Sequence, residues 1–236
     1  MQINLNTNMT THGMDFEKYL SPTQFIDSDH IEVIDYANAV TRTDSSEVEK
    51  AISLYNAVRD DIYYDPYHVK LVPEKMSASF TLSSKRNYCI PKAILLAAVS
   101  RAVHIPSRLG FADVINHLST EKFKAAIRTN IFAYHGYTEL FLNNKWVKAT
   151  PAFNRSLCEK FHVKPLEFDG INDSIFHEFD EKGNKHMEYV RDHGQYADVP
   201  LDDIIASFKK HYPHLIAKKE YYLEGDFQDE AKPILK

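Results

Sequence analysis

The chain is short of the residues from which several classes of protein are built. It holds 2 cysteines and 7 glycines among 236 residues, and its longest apolar run is residues 93–99. Two cysteines cannot form a disulfide framework, so we expect free thiols in a cytoplasmic protein. The apolar run is too short to span a bilayer, and residues 1–16 show neither the apolar stretch nor the basic residues of a signal peptide. The sequence therefore predicts no targeting segment and no membrane partner.

The chain also has no large excess of positive or negative charge. The chain has 28 Lys and Arg against 33 Asp and Glu, a formal net charge of −5. A nucleic-acid-binding protein carries a basic footprint, so we expect no nucleic-acid partner. Apolar residues make up 44% of the chain, enough to form a hydrophobic core, and the length is that of a single domain. We predict one soluble domain spanning residues 1–236.

The N-terminal half has the pattern of helices. A first helix is predicted over residues 29–39. Ser46 and Glu49 then have the spacing of a capping box, in which a hydroxyl and a carboxylate satisfy each other's backbone donors. The helix that follows runs to Asp65-Pro66, and residues 68–86 read as irregular. The apolar positions at helical spacing are Val48, Ile52, Tyr55, Val58 and Ile62.

Strand patterns follow in the second half. We predict strands over residues 107–114, 130–142 and 145–152, with Asn143-Asn144 as a tight turn because asparagine tolerates positive φ. A second hairpin is predicted from residues 176–179 and 187–190. A C-terminal helix follows Pro200. Helices first and antiparallel hairpins later are typical of the α+β class.

Cys89 stands at the start of an apolar helix predicted over residues 89–103. Pro91 suits a first helical turn, where its missing N–H costs nothing. The positive end of a helix dipole stabilises a thiolate, and its free N–H groups can bind an oxyanion. A free cysteine is also a common small core residue, so position alone leaves catalysis and packing equally open.

His135 is the candidate base. It lies inside a predicted strand beside Gly136, and glycine within a strand often marks the close approach of another segment. A thiol nucleophile needs an imidazole facing the helix terminus. A histidine in a strand is by itself more often a hydrogen-bonded core residue.

Several segments together resemble the transglutaminase-like superfamily. Asn87-Tyr-Cys89 with Arg101-Ala-Val-His-Ile-Pro-Ser-Arg108 looks like the family's cysteine turn, helix and R-a-x-G-I-P-a-R end. His135-Gly-Tyr-Thr-Glu139 followed by Lys145-Trp-Val147 is similar to its H-a-W-x-E-v and g-x-W-v segments. Tyr55-Asn-Ala-Val-Arg-Asp60 fits the helix that precedes them. The resemblance covers roughly residues 50–155.

The resemblance implies a papain-like, transglutaminase-core fold of the α+β class. The Cys89 helix would pack on an antiparallel sheet that carries His135, with a catalytic core at about 46–155 and an extension over 156–236. The implied function is acyl transfer through a thioester on a protein or peptide substrate, as a protease or amidase. Whether water or an amine resolves the thioester stays open. The alternative is a non-catalytic peptide-binding module that keeps the fold.

Three departures from the family pattern matter. Asn87 stands where the family has glycine, a change that asparagine's access to left-handed backbone would allow, and His104 replaces the glycine before Ile-Pro. The acid that orients the histidine would fall at Thr150. With a two-residue turn, His135 faces residue 152, and Thr150 and Asn154 become its diagonal neighbours. Thr150 is our prediction for the third catalytic group; Asn154 and Asp169 remain alternatives.

Other clusters are given structural interpretations. His177, His186, Glu188 and His193 lie close in sequence, as do His211 and His214, but neither set has the spacing of a dedicated zinc site. We therefore predict no metal and no cofactor. Cys158 is read as a core thiol, and Arg108 and Asp113 as members of structural ion pairs. The oligomeric state is left open.

Overall fold

The chain combines helices with a central antiparallel sheet. The computed structural model describes residues 16–117, 119–176, 187–215 and 220–231. Within those ranges the helices are α1 (Glu17–Leu20), α2 (Ile31–Val40), α3 (Glu47–Asp61), α4 (Pro73–Met76), α5 (Ala78–Ser84), α6 (Cys89–Ala102), α7 (Glu121–Ile127), α8 (Arg155–Phe161), α9 (Leu201–His211) and α10 (Phe227–Glu230). The strands are β1 (Tyr63–Tyr64), β2 (His68–Lys70), β3 (Arg86–Asn87), β4 (Ser107–Asn116), β5 (Ile131–Leu142), β6 (Lys145–Ala149), β7 (Met187–Tyr196) and β8 (Glu220–Tyr222).

The main sheet has four antiparallel strands in the order β6-β5-β4-β7, and α6 packs against β5. The Thr138 hydroxyl donates to the carbonyl of Ala93 at 2.8 Å. At Gly136 the contact is closer still, because a Cβ there would lie 3.1 Å from Ile90 Cα. The predicted α+β architecture, with the cysteine helix on the histidine strand, is confirmed.

Helix α6 lies inside the hydrophobic core. Every residue from Ile90 to Arg101 is buried, as the apolar sequence predicted. One of the two buried cations in this helix is Lys92, whose ammonium donates to the carbonyls of Arg59, at 2.9 Å, and Ile62. It therefore caps the carboxyl end of α3, where a cation is favoured by the helix dipole. Burial lowers the pKa of Lys92 to about 7.

The N-terminal helices begin where the sequence predicts. Ser46 Oγ accepts from the backbone N–H of Glu49 at 3.3 Å, and the Glu49 carboxylate accepts from the N–H of Ser46 at 2.8 Å. The capping box is therefore present. Residues 68–86, interpreted as irregular, instead contain β2, α4 and α5. These elements are too short to show a period, and the serines that suggested a loop include Ser77, the cap of α5.

The β5–β6 hairpin has the predicted turn. Asn143 and Asn144 have φ of 50° and 63°, and Leu142 pairs with Lys145. The second strand ends at Ala149 rather than at residue 152, shortly before Pro151, which has no N–H to donate to a ladder. On the edge of β6 away from β5, the N–H of Ser174 donates to the carbonyl of Lys148 at 2.8 Å. The register argument therefore applies up to the pair Thr138–Ala149.

Two predictions for the later part of the chain are confirmed. Helix α9 follows Pro200 with Ile204, Ile205 and Phe208 buried, and residues 187–190 lie in β7. β7 pairs with β4. The predicted partner strand and turn of the second hairpin fall on residues 177–186, which lie outside the described residues. In the described ranges, no helix is long and apolar enough to cross a membrane.

The two positions where the family has glycine behave differently. Asn87 lies in strand β3 and does not use left-handed backbone, so that interpretation was wrong. Its side chain instead accepts from the N–H of Tyr88 and donates to Thr81. His104, by contrast, has φ of 64°, in the left-handed region where side chains other than glycine are strained.

Replacing His104 with glycine is expected to stabilise the fold. The side chain of His104 is exposed, so its loss removes no packing, while relief of left-handed strain is worth about 0.5–1 kcal/mol after the entropy of glycine in the unfolded chain is subtracted. Urea unfolding of wild type and His104→Gly measures the difference. His104→Ala, which keeps a Cβ, should show no such gain, and an equal gain in both variants would contradict the backbone explanation.

Candidate active site

Cys89 is the first residue of α6 and is half-buried at the edge of a cleft. The nearby backbone N–H groups of Gly136, Ile90 and Cys89 itself lower the pKa of the thiol, but burial outweighs them and raises the pKa to about 11. The strand residue Gly136 thus brings a donor to the sulfur as well as close packing. The same donors face any anion that forms at this point.

His135 lines the same cleft and is 3% exposed. Burial alone lowers its pKa to about 4. Its Nε2 has no hydrogen-bond partner among the described residues, and its ring packs edge-on against Phe176 with 5.3 Å between centroids. Among the described residues, no hydrogen bond joins the His135 ring to Cys89. Near pH 7 the two groups are therefore a neutral thiol and a neutral imidazole, not an ion pair.

The buried neutral state of His135 makes the fold acid-sensitive. Its pKa is lowered from 6.5 to about 4, so the unfolded chain binds the proton first and stability falls as pH drops from about 6.5 to 4. The loss is up to about 3 kcal/mol. Urea unfolding at pH 7 and pH 4 should show a smaller loss for His135→Gln than for wild type. Equal losses would place the acid sensitivity elsewhere.

A β-bulge in β5 lies immediately before His135. Ala112 of β4 pairs with His135, but Val114 pairs with Phe132, so β5 has one residue too many opposite Asp113. Tyr134, within the bulge, has φ of 52°. A bulge bends its strand and redirects the neighbouring side chains, and here the redirected neighbour is the candidate base.

Asp113 satisfies the backbone that the bulge exposes. Its Oδ1 accepts from the N–H of Tyr134 at 2.9 Å and contacts His193 Nε2 at 2.8 Å. The His193 ring stacks on Tyr134 with centroids 3.9 Å apart. Sequence reasoning took Asp113 as part of a structural ion pair; its partner is this histidine, and together they fix the bulge.

Tyr212, at the end of α9, completes the support of the bulge. Its hydroxyl accepts from the N–H of Ala133 at 2.7 Å and donates to the carbonyl of Ile131 at 2.8 Å. Sequence reasoning missed Tyr212, since nothing in its local pattern connects the C-terminal helix to a strand some eighty residues earlier.

Thr150 is buried just beyond the end of β6. Its hydroxyl has no hydrogen-bond partner among the described residues, which is also true of His135 Nε2, so no bond joins the two. The Thr150 carbonyl accepts from the hydroxyl of Tyr55 at 3.1 Å, which anchors the backbone there.

The alternatives for the third group are engaged elsewhere. Asn154 Oδ1 accepts from the N–H of Tyr64 at 3.0 Å and from Gln228 at 3.1 Å. Asp169 is exposed, and its carboxylate binds the N–H and side chain of Asn172. Asn154 thus ties the C-terminal segment to β1, and Asp169 closes a turn.

The other residues that the sequence analysis singled out make contacts that support the fold. Arg108 pairs with Glu139, with 2.5 Å between Nη2 and Oε2, which confirms a structural ion pair. Cys158 is buried, and burial raises its pKa to about 12. Among the described residues no three His, Cys, Asp or Glu side chains converge as a metal site would require; His177 and His186 lie outside them.

The cleft at Cys89 has an empty volume of about 450 Å³, including its mouth. Helices α6, α7 and α9 and strands β5 and β8 contribute to its walls. The residues that line it are Tyr64, Pro66, Val69, Tyr88, Cys89, Phe123, Ile127, Phe132, Ala133, His135, Phe208, Tyr212 and Tyr221.

Comparison with known proteins gives the chain a family. Residues 34–151, half of the chain, match the model of the transglutaminase-like superfamily. No curated protein matches the chain. A "putative cysteine protease" from Cytophaga hutchinsonii is similar over 59% of this chain and 42% of its own, with 17% identity and a TM-score of 0.45. A "putative protease" from Parabacteroides distasonis is similar over 60% of this chain and 26% of its own, with 18% identity and a TM-score of 0.37. The chain thus spans less than half of either solved protein. By its family match, it belongs to the transglutaminase-like superfamily.

Proposed function

We propose that the protein is a cysteine-dependent acyl-transfer enzyme with Cys89 as nucleophile and His135 as general base. The observation that carries the proposal is the meeting of these two side chains in one cleft, with the thiol at the first residue of a buried helix. Membership of the transglutaminase-like superfamily supports a cysteine-dependent function in general.

In the proposed reaction the Cys89 sulfur attacks an amide carbonyl while His135 takes the thiol proton. Burial keeps the resting ring neutral, so that it can accept the proton, but it also makes the ring a weaker base than a free imidazole. Because burial raises the pKa of the thiol, the proton moves during attack rather than beforehand. The backbone donors of Cys89, Ile90 and Gly136 stabilise the developing negative charge. His135 then protonates the leaving amine as the C–N bond breaks, which leaves a thioester on Cys89.

Thr150 is the third group of the proposal. Two buried polar atoms without partners, its hydroxyl and His135 Nε2, are each costly to leave unsatisfied, and pairing on substrate binding would satisfy both. A hydroxyl fixes the tautomer of the ring but stabilises imidazolium less than a carboxylate does. This suits a base whose resting state is neutral.

The substrate of the proposal is a protein or peptide, and the acceptor is water, which makes the enzyme a protease or amidase. The reducing cytoplasm is the compartment in which a single catalytic thiol stays reduced. The core at residues 46–155 with an extension at 156–236 remains our division of the chain.

The proposal is tested with an N-acyl amino acid p-nitrophenyl ester as acyl donor. Wild type should release p-nitrophenol in a burst of one equivalent followed by turnover. Cys158→Ala should do the same, whereas Cys89→Ala should not. Adding glycine amide as acceptor separates hydrolysis from transfer. If Cys89→Ala releases product as fast as wild type, the non-catalytic binding module is the better interpretation.

A further inference from the structure

We infer that the cleft beside Cys89 is a specificity pocket for one bulky, uncharged apolar side chain on the acyl part of the substrate. The inference rests on the proposed function, because it is the acyl part that stays attached to the sulfur after the amine leaves. It adds the substrate class, which neither the family match nor the catalytic pair provides.

The first support is the chemistry of the walls. Apart from Cys89 and His135, every residue that lines the cleft is aromatic, aliphatic or proline, and none of them is Asp, Glu, Lys or Arg. A charged side chain that entered would lose its hydration and find no partner of opposite charge. Such burial is strongly unfavourable, whereas an apolar side chain gains from it.

The second support is where the walls come from. Phe208 of α9, Tyr212 directly after that helix and Tyr221 of β8 line the cleft, and all three lie after residues 34–151, which match the family. They are held in place by the core: Tyr212 bonds β5, and the Tyr221 hydroxyl donates to the carbonyl of Pro66. The C-terminal segment therefore completes a pocket whose other lining residues lie within the family match.

The third support is the hydroxyl of Tyr88. Tyr88 is 4% exposed, and its hydroxyl is buried with no hydrogen-bond partner among the described residues. Tyr88 directly precedes Cys89 in the chain and lines the same cleft. A polar atom left unsatisfied in an apolar pocket is suited to a polar atom of the ligand, here the amide of the substrate backbone that carries the apolar side chain.

The β2–β8 pair separates this pocket from a different surface. Val69 and Tyr221 line the apolar pocket, while their neighbours Lys70 and Tyr222 line a second cleft that also contains Arg86. Adjacent residues of a strand point to opposite faces. The two faces of one short ribbon thus differ in chemistry, and that difference supplies a matched control.

The test uses chloromethyl ketones of N-acetylated amino acids with phenylalanine, leucine, alanine, lysine or aspartate side chains. Alkylation of Cys89 in the full chain is followed by mass spectrometry, with iodoacetamide as a probe that has no side chain. We expect the phenylalanine and leucine probes to react at least ~100-fold faster than the lysine and aspartate probes, since an apolar pocket discriminates by 10–200-fold even for one methylene.

Variants assign the preference to the pocket. Tyr221→Ala should lower the phenylalanine-to-alanine rate ratio by about 10-fold or more, while Tyr222→Ala, one residue along on the other face, should leave it within ~2-fold. Phe132→Ala is the second pocket variant: Phe132 is only partly buried, so its loss is better tolerated. It should lower the same ratio.

The outcomes separate the pocket from the chemistry. If iodoacetamide modifies Cys89 in wild type but the five side chains react within ~3-fold of one another, the pocket inference is overturned and the proposed function stands. If no probe modifies Cys89 faster than it modifies Cys158, the proposed function itself fails. Equal ratios in Tyr221→Ala and Tyr222→Ala would also overturn the assignment to this pocket.

Discussion

Replacing His135 with alanine is expected to lower kcat/KM for an acyl donor by roughly 10²- to 10⁴-fold, the usual contribution of a general base. The expected size follows from the state of the thiol. Burial raises the pKa of Cys89 to about 11, so at pH 7 only about one thiol in 10⁴ is ionised without help. An imidazole that takes the proton during attack removes this limitation.

The pH dependence of kcat/KM tests whether His135 is the base. The base must be neutral, and burial lowers its pKa to about 4, so kcat/KM of wild type should hold down to about pH 5 and fall as the pH passes through 4. In His135→Ala this acid limb should vanish, and added imidazole should restore part of the rate. His214→Ala, at an exposed position whose ring contacts the carbonyl of Ala126, is the control and should behave as wild type. An unchanged acid limb in His135→Ala would assign the base elsewhere.

Replacing Asp113 with alanine is expected to cost about 2–4 kcal/mol of stability and at least ~10-fold in kcat. The substitution leaves the buried N–H of Tyr134 without its acceptor and removes the partner of His193, each loss being worth about 1–3 kcal/mol. These contacts, together with those of Tyr212, hold Tyr134 in left-handed backbone. When the bulge relaxes, His135 one residue later changes direction.

Asp113→Asn is the matched variant. Its side-chain oxygen can still accept from Tyr134, so the bulge should survive, and both the free energy of unfolding and kcat should stay nearer to wild type. Urea unfolding and initial rates at saturating substrate measure the two effects. If Asp113→Ala loses stability but keeps its kcat and its pH profile, Asp113 supports the fold without positioning His135.

The elements that sequence reasoning placed correctly are those whose cause is local. The capping box of Ser46 and Glu49, the Asn143-Asn144 turn and the apolar helix after Cys89 each follow from a few neighbouring residues. The close approach at Gly136 followed from the absence of a side chain. Local chemistry thus placed the helix of Cys89 and the strand of His135, whereas the choice of these two side chains as a catalytic pair came from the resemblance to the transglutaminase-like superfamily.

What sequence reasoning could not give depends on distant contacts. The bulge beside His135 is supported by Asp113 and by Tyr212, which directly follows helix α9. Asn87 was assigned left-handed backbone by analogy with glycine, although strand pairing with Tyr64 holds it extended. No periodicity reports such contacts, because each joins segments far apart in the chain.

The central claim is that Cys89 carries the acyl group with the help of His135. The most direct measurement is mass spectrometry of the protein quenched in acid during turnover of a p-nitrophenyl ester, followed by peptide mapping. The expected result is one hydroxylamine-labile acyl group on Cys89 in wild type, formed far more slowly in His135→Ala. An acyl group on Cys158, on a residue other than cysteine, or on none, would contradict the claim.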